Sequence, residues 1–166
     1  MIAVTELVVS DEEQVARIIS REWMTDGILL PIAFAFRQNE TYLSVNRLCI
    51  DSYNKDVKWF VDSHENFQTS SDDSYYRALL NVGDVRSIKV TNEGEPLELT
   101  VEVEPRDFRL KSHAGIFVKV EDKNIFPGKR NTDDVFPAGV SSEAVFQKVR
   151  WELLDLAELQ CCKLSS

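Results

Sequence analysis

Residues 97–104 read Leu97-Glu98-Leu99-Thr100-Val101-Glu102-Val103-Glu104. In an extended chain successive side chains point to opposite faces, so the four apolar residues line one face and the glutamates and threonine the other. Such a strand puts one face in a core and leaves an acidic face in water. Asn92-Glu93-Gly94 supplies the turn that feeds it, and Pro105, which has no N–H to give to a ladder, ends it.

Working outward from this strand, Ile116–Val120 is mostly apolar and β-branched, Val85–Val90 carries Val85, Ile88 and Val90, and both read as further strands. Tyr75–Val82 fits either a strand or a helix. Nearer the N-terminus, Ile28–Phe36 and Tyr42–Ile50 are two apolar runs separated by the polar stretch Arg37-Gln38-Asn39-Glu40-Thr41, which suits a hairpin-like connection. Pro31 makes the first of these runs begin late or lie at a sheet edge.

Three helices are expected around the sheet. Ser10-Asp11-Glu12-Glu13 has the form of a capping box, Val15, Ile18, Ile19 and Trp23 follow at helical spacing, and Asp26-Gly27 supplies a stop. Asp51 is placed to cap a second helix with Val57, Phe60, Val61 and His64 on one face, ending before the polar stretch 68–74. Ser142 heads a third, striped by Val145, Val149, Leu153, Leu156 and Leu159. Residues 122–141, with Pro127-Gly128, Asp133-Asp134 and Pro137-Ala138-Gly139, carry the densest turn chemistry and read as a long surface loop. The expected fold is α+β: one domain over 1–166, with a mostly antiparallel sheet of about five to six strands packed by three helices.

A chain of 166 residues can bury one core without metal or disulfide staples. Its 43% hydrophobic and 28% charged residues exclude a disordered composition. With 28 acidic against 19 basic residues the formal charge is -9, which repels phosphate backbones and anionic headgroups and would attract a basic protein partner. Direct nucleic-acid binding is therefore disfavoured. No stretch reaches the roughly 18 apolar residues of a membrane span, and the N-terminus lacks the form of a secretory signal, so a cytoplasmic protein is expected. Cys49, Cys161 and Cys162 make no disulfide framework.

The catalytic inventory is short, because the chain has only two histidines and histidine dominates acid–base and metal chemistry near neutral pH. The P-loop, dinucleotide glycine, nucleophile-elbow and zincin fingerprints are absent, as is CxxC, and no cofactor or metal is expected. His113 lies in Ser112-His113-Ala114-Gly115, just before a predicted strand, where site residues commonly sit, and reads either as a structural histidine or as a site residue. His64 is placed to pack or to cap the end of its helix. Arg21, Arg37 and Arg47 form either a basic spot or ion pairs with Glu6, Glu22 and Glu40. Cys49 fits a strand interior, Cys161-Cys162 a frayed helix end, and Asp72-Asp73 and Asp133-Asp134 solvated loops.

The run Trp23 to Arg47, with Asp26-Gly27, Ala33-Phe34 or Ala35-Phe36, Leu43-Ser44-Val45 and Arg47, resembles a pattern of small bacterial proteins with no assigned activity. Val82-Gly83-Asp84-Val85 and His113-Ala114-Gly115-Ile116 are similar to its later elements. The resemblance touches about half of the chain, implies a bacterial or phage origin, and adds weight to Arg47 and His113. Two functions are compatible with these readings. One is an acidic recognition protein of an immunity, defence or regulatory system, with a basic protein partner. The other is a small enzyme or ligand-binding domain for a phosphorylated or nucleotide-like metabolite. In it Arg47 holds phosphate, Ser44 orients it and His113 moves a proton.

Overall fold

The computed structural model describes residues 8–36, 42–69, 73–92, 95–96, 99–106, 110–120, 123–125 and 142–164. Along the chain lie β1 (Gln14–Ile19), β2 (Met24–Thr25), β3 (Ile28–Leu29), β4 (Tyr42–Arg47), α1 (Tyr53–Ser63) and β5 (Ser74–Asn81). Then come α2 (Val82–Arg86), β6 (Thr91–Asn92), β7 (Glu95–Pro96), β8 (Leu99–Pro105), β9 (His113–Val120), β10 (Lys123–Asn124), α3 (Ser142–Leu156) and β11 (Glu158–Lys163). The main sheet has seven strands in the order β10-β9-β4-β1-β5-β11, with β8 along the remaining edge of β9. Every pairing in it is antiparallel. The protein is α+β, as its sequence predicts.

The 97–104 alternation holds where it is described. Val101 and Val103 are buried while Thr100 is exposed, and β8 ends at Pro105. The predicted first helix is instead β1, the strand between β4 and β5. The reason lies in its two neighbours. A strand in the middle of a sheet covered on both sides buries both of its faces, so its apolar residues do not alternate. Val15 and Ile19 enter one core with Leu43, Val45, Ala78, Leu80, Val149 and Leu153. Ala16 and Ile18 enter another with Tyr53, Val57, Val61 and Leu79. Together the two sets mimic helical spacing. The Ser10–Glu13 contact does form, with the Ser10 N–H donating to Glu13 Oε2 at 2.8 Å, but it closes a turn ahead of a strand.

Other elements also differ from expectation. Asp26 and Gly27, with φ of 51° and 75°, do not stop a helix; both take the left-handed region and join β2 to β3 as a two-residue hairpin turn. Pro31 opens a 3-10 turn, Pro31–Phe34, so the run Ile28–Phe36 does not pair with β4, whose partners are β1 and β9. Val85 falls in the short helix α2, capped by the Asn81 side chain, which accepts from the Asp84 N–H at 3.0 Å. Tyr75–Val82 resolves as β5 and the start of α2. Ser52, not Asp51, precedes α1. α3 ends at Leu156, so Leu159 and Cys161-Cys162 belong to β11 and not to a frayed helix. Most of the predicted 122–141 loop, with Asp133-Asp134, lies outside the described residues, as does Asp72.

The two faces of the sheet are covered unequally. α2, α3 and the 3-10 turn pack on the face carrying Val15, Val45 and Leu80. On the other face α1 covers β1 and β5. The neighbouring part of that face, on β4 and β9, is left for a cleft. No helix among the described residues is long and apolar enough to cross a membrane.

Candidate functional site

The cleft begins where two strands part. β1 and β4 are registered only at Val15↔Arg47 and Ala16↔Asn46. Beyond that point Arg17 occupies the gap. Its Nε donates to the Ala33 carbonyl at 2.7 Å and its Nη1 to the Ser44 carbonyl at 2.9 Å. The guanidinium also lies 4.9 Å from the centroid of the Trp23 ring. A strand carbonyl that has lost its ladder partner is thus satisfied by a side chain.

Above this gap lies a cleft of about 260 Å³. Its sheet side carries Ser44 and Asn46 from β4 and His113 from β9; its helix side carries Asp56, Trp59 and Phe60 from α1 and His64 just past its end. The three α1 residues recur at spacings of three and four, which puts them on one face of the helix. Trp23 meets Phe67 edge-on with centroids 5.5 Å apart, Phe67 meets Phe60 at 4.8 Å, and His64 stacks on Phe60 at 4.5 Å. One aromatic wall therefore runs from Trp23 to His64. Trp59 is 57% exposed beside it.

Ser44 and His113 meet in the cleft, with Ser44 Oγ 2.5 Å from His113 Nε2. Strand register explains how. Ser44 lies opposite Gly115, and His113, two residues along on the same face, reaches back to it diagonally. Gly115 is a small residue for a steric reason, since a Cβ there would come within 2.7 Å of Tyr42 Cδ2 and 2.9 Å of its Cγ. Gly115→Ala is therefore expected to push the Tyr42 ring off β9 and to destabilise the protein by about 1–3 kcal/mol, read from urea melts. An unchanged midpoint would mean that Tyr42 does not lie over this glycine.

A polar network ties the helix to the sheet. Asp56 Oδ2 accepts from the Ser112 N–H at 3.0 Å, from Ser112 Oγ at 2.7 Å and from Ser52 Oγ at 2.8 Å. Asn46 Nδ2 donates to Ser112 Oγ at 3.0 Å. Ser112 immediately precedes His113, so the network fixes the backbone from which the imidazole projects.

Arg47, expected beside Ser44 and His113, is not brought to them. It alternates with Asn46 on β4 and projects with Leu43 and Val45 into the opposite core, where its side chain is 0% exposed. There Nε and Nη2 grip Glu13 at 2.7 and 2.8 Å, and Nη2 also donates to the Val8 carbonyl at 3.1 Å. The proposed phosphate arginine is thus a structural ion pair, and its carboxylate is Glu13, none of the acids expected. Arg21 donates to the Glu65 carbonyl at 3.4 Å, and Arg37 lies outside the described residues. Cys49 is exposed in the turn after β4, not inside a strand, and its thiol donates to Glu13 Oε1 at 3.0 Å. Burial and that hydrogen bond push the thiol's pKa up, away from reactive thiolate. His64 donates from Nδ1 to the Phe60 carbonyl at 2.8 Å, the helix-end role expected of it.

Sequence reasoning missed Arg17, Asn46, Asp56 and the aromatic wall. Gly115, a lone glycine inside a strand pattern, was the available signal for the close approach of the Tyr42 ring to β9. Among the described residues no cluster of three or more His, Cys, Asp or Glu is placed to hold a metal. Together the sheet and cleft define an α+β domain with a small one-sided pocket. Comparison with family profiles, with curated proteins and with solved structures finds no match for the chain.

Proposed function

We propose that this chain is a small-ligand-binding domain whose cleft takes a planar, largely apolar group. The observation that supports this most directly is the meeting of Ser44 and His113, distant in sequence, beneath the wall formed by Trp23, Phe67 and Phe60. Apolar walls with a few convergent polar groups are the usual composition of a ligand site. At about 260 Å³ the cleft is below the roughly 300–1,000 Å³ of drug-sized pockets, which favours a single ring system over a larger molecule. Arg17 puts positive charge at the cleft, so a carboxylate or phosphate substituent on that ring is favoured, in the place first assigned to Arg47.

Tryptophan fluorescence tests this reading, because Trp23 and Trp59 line the cleft. Titration with a panel of planar aromatic acids and nucleosides is expected to quench emission saturably. Trp59→Ala is expected to weaken binding about tenfold while leaving the circular dichroism spectrum intact. Absence of any saturable quenching across the panel would remove the basis of the proposal.

A second reading, recognition of a basic partner protein, draws on the net charge of -9 and on the exposed Trp59 at the rim. It predicts a partner captured at low salt and released at high salt. Capture that survives Trp59→Ala would place the contact away from the cleft.

A further inference from the structure

The geometry points to Ser44 as an acyl-accepting nucleophile, with His113 as its base and aryl esters as the substrate class; this rests on the reading that the cleft takes a planar ring. Three observations converge on it. Ser44 Oγ lies 2.5 Å from His113 Nε2, within reach for direct proton transfer. Nδ1 of the same ring is buried, so Nε2 is the nitrogen that serves the hydroxyl. The hydroxyl also opens onto a cleft with aromatic walls rather than into the core, since Ser44 is exposed while Leu43 and Val45 beside it are buried.

The step balances without any further reagent but water. As Ser44 Oγ attacks the ester carbonyl carbon, its proton passes to His113 Nε2 and the carbonyl π pair moves onto oxygen. Arg17, which lines the cleft and is tethered to the Ser44 carbonyl, places positive charge near that developing oxyanion. Collapse breaks the bond to the aryl oxygen, and the leaving phenolate takes the proton back from His113. Water then attacks acyl-Ser44 while His113 takes its proton; the carboxylic acid leaves and the Ser44 hydroxyl is restored. Asp56, Ser112 and Asn46 touch none of the reacting atoms and act as positioning residues, through the backbone that carries His113.

Incubation of the full chain with para-nitrophenyl acetate tests the assignment. A burst of nitrophenolate equal to the protein concentration is expected, with a single acetyl group mapped by peptide mass spectrometry to Ser44. Ser44→Ala should abolish the burst, and His113→Gln should slow it about 100-fold or more, each with an unchanged circular dichroism spectrum. Acetyl found instead on Cys49, Cys161 or a lysine, or a burst rate indifferent to His113→Gln, overturns the assignment. Saturable quenching of tryptophan emission by the ester without acetylation overturns it too, and leaves the ligand cleft standing. Neither quenching nor acetylation sinks both.

Discussion

Arg47→Ala is expected to destabilise the protein by about 3–5 kcal/mol, because it leaves the Glu13 carboxylate without its cation in a nearly dry site. The side chains of Arg47 and Glu13 are 0% and 8% exposed, so little water reaches the intact pair. The same guanidinium holds the Val8 carbonyl, and the variant frees the segment leading into β1 as well. For a domain of this length the loss corresponds to a fall in melting temperature of about 10 °C, measurable by calorimetry. Replacing both partners with apolar residues, Arg47→Met with Glu13→Leu, should recover most of it, since the desolvation cost disappears with the charges. The pH dependence carries the same signature. Burial alone would raise the Glu13 pKa, but hydrogen bonds from Arg47, Cys49 and Ser10 outweigh it and hold the carboxyl below its ordinary value of 4.5. A carboxyl lowered by folding contributes stability that is complete above pH 4.5 and is lost as pH falls through the lower folded value. Arg47→Ala should therefore flatten the acid limb of the stability curve. A variant that melts with the parent at pH 7 and keeps the parent's acid limb would show that the pair is solvated.

What could be read from the sequence followed from how many faces each element buries. β8 buries one face, its apolar residues alternate, and its strand and its end at Pro105 were legible. α1 likewise shows one stripe, with Val57 and Val61 fully buried and Lys55 and Trp59 exposed. β1 buries both faces, and two interleaved apolar sets produced a helical period backed by a genuine Ser10–Glu13 contact. Local chemistry and spacing agreed with each other there and were overruled by a tertiary fact, the strands on either side. Asp26-Gly27 carried its hairpin signal plainly, but a helix placed just before it hid that meaning.

The site was legible in part for the same reason. Ser44 was named as a hydroxyl inside a predicted strand run and His113 as a residue just before one, and pairing of β4 with β9 brings them together. Arg47 was grouped with Ser44 on the resemblance and on its fitness for phosphate, but three residues along a strand is an odd step and sends the two side chains to opposite faces. Arg17 was invisible as a cleft residue while β1 stood as a helix. The aromatic wall draws on three separate segments, at Trp23, Phe60 and Phe67, and no local pattern relates them.

Asp56→Ala is expected to cost about 3 kcal/mol or more and, unlike Arg47→Ala, to disable the cleft along with it. The carboxylate is buried and receives three donors on one oxygen, two of them from Ser112, which is itself 0% exposed. Each donor stranded away from water costs about 1–3 kcal/mol, and Ser112 cannot turn outward to find another acceptor. Asp56→Asn keeps an acceptor oxygen of the same reach and should lose only about 1 kcal/mol, the difference between a charged and a neutral hydrogen bond. The coupling to the site follows from chain connectivity. Ser112 carries His113, while Asp56 shares its helix face with Trp59 and Phe60, so a single carboxylate sets the distance between the aromatic wall and the imidazole. Quenching of tryptophan emission by a bound aromatic acid should then weaken in Asp56→Ala beyond the fraction unfolded, and should be largely retained in Asp56→Asn. If Asp56→Ala were found to bind with the parent's affinity once its unfolded fraction is subtracted, the wall and the His113 floor would have to be held in place by packing alone.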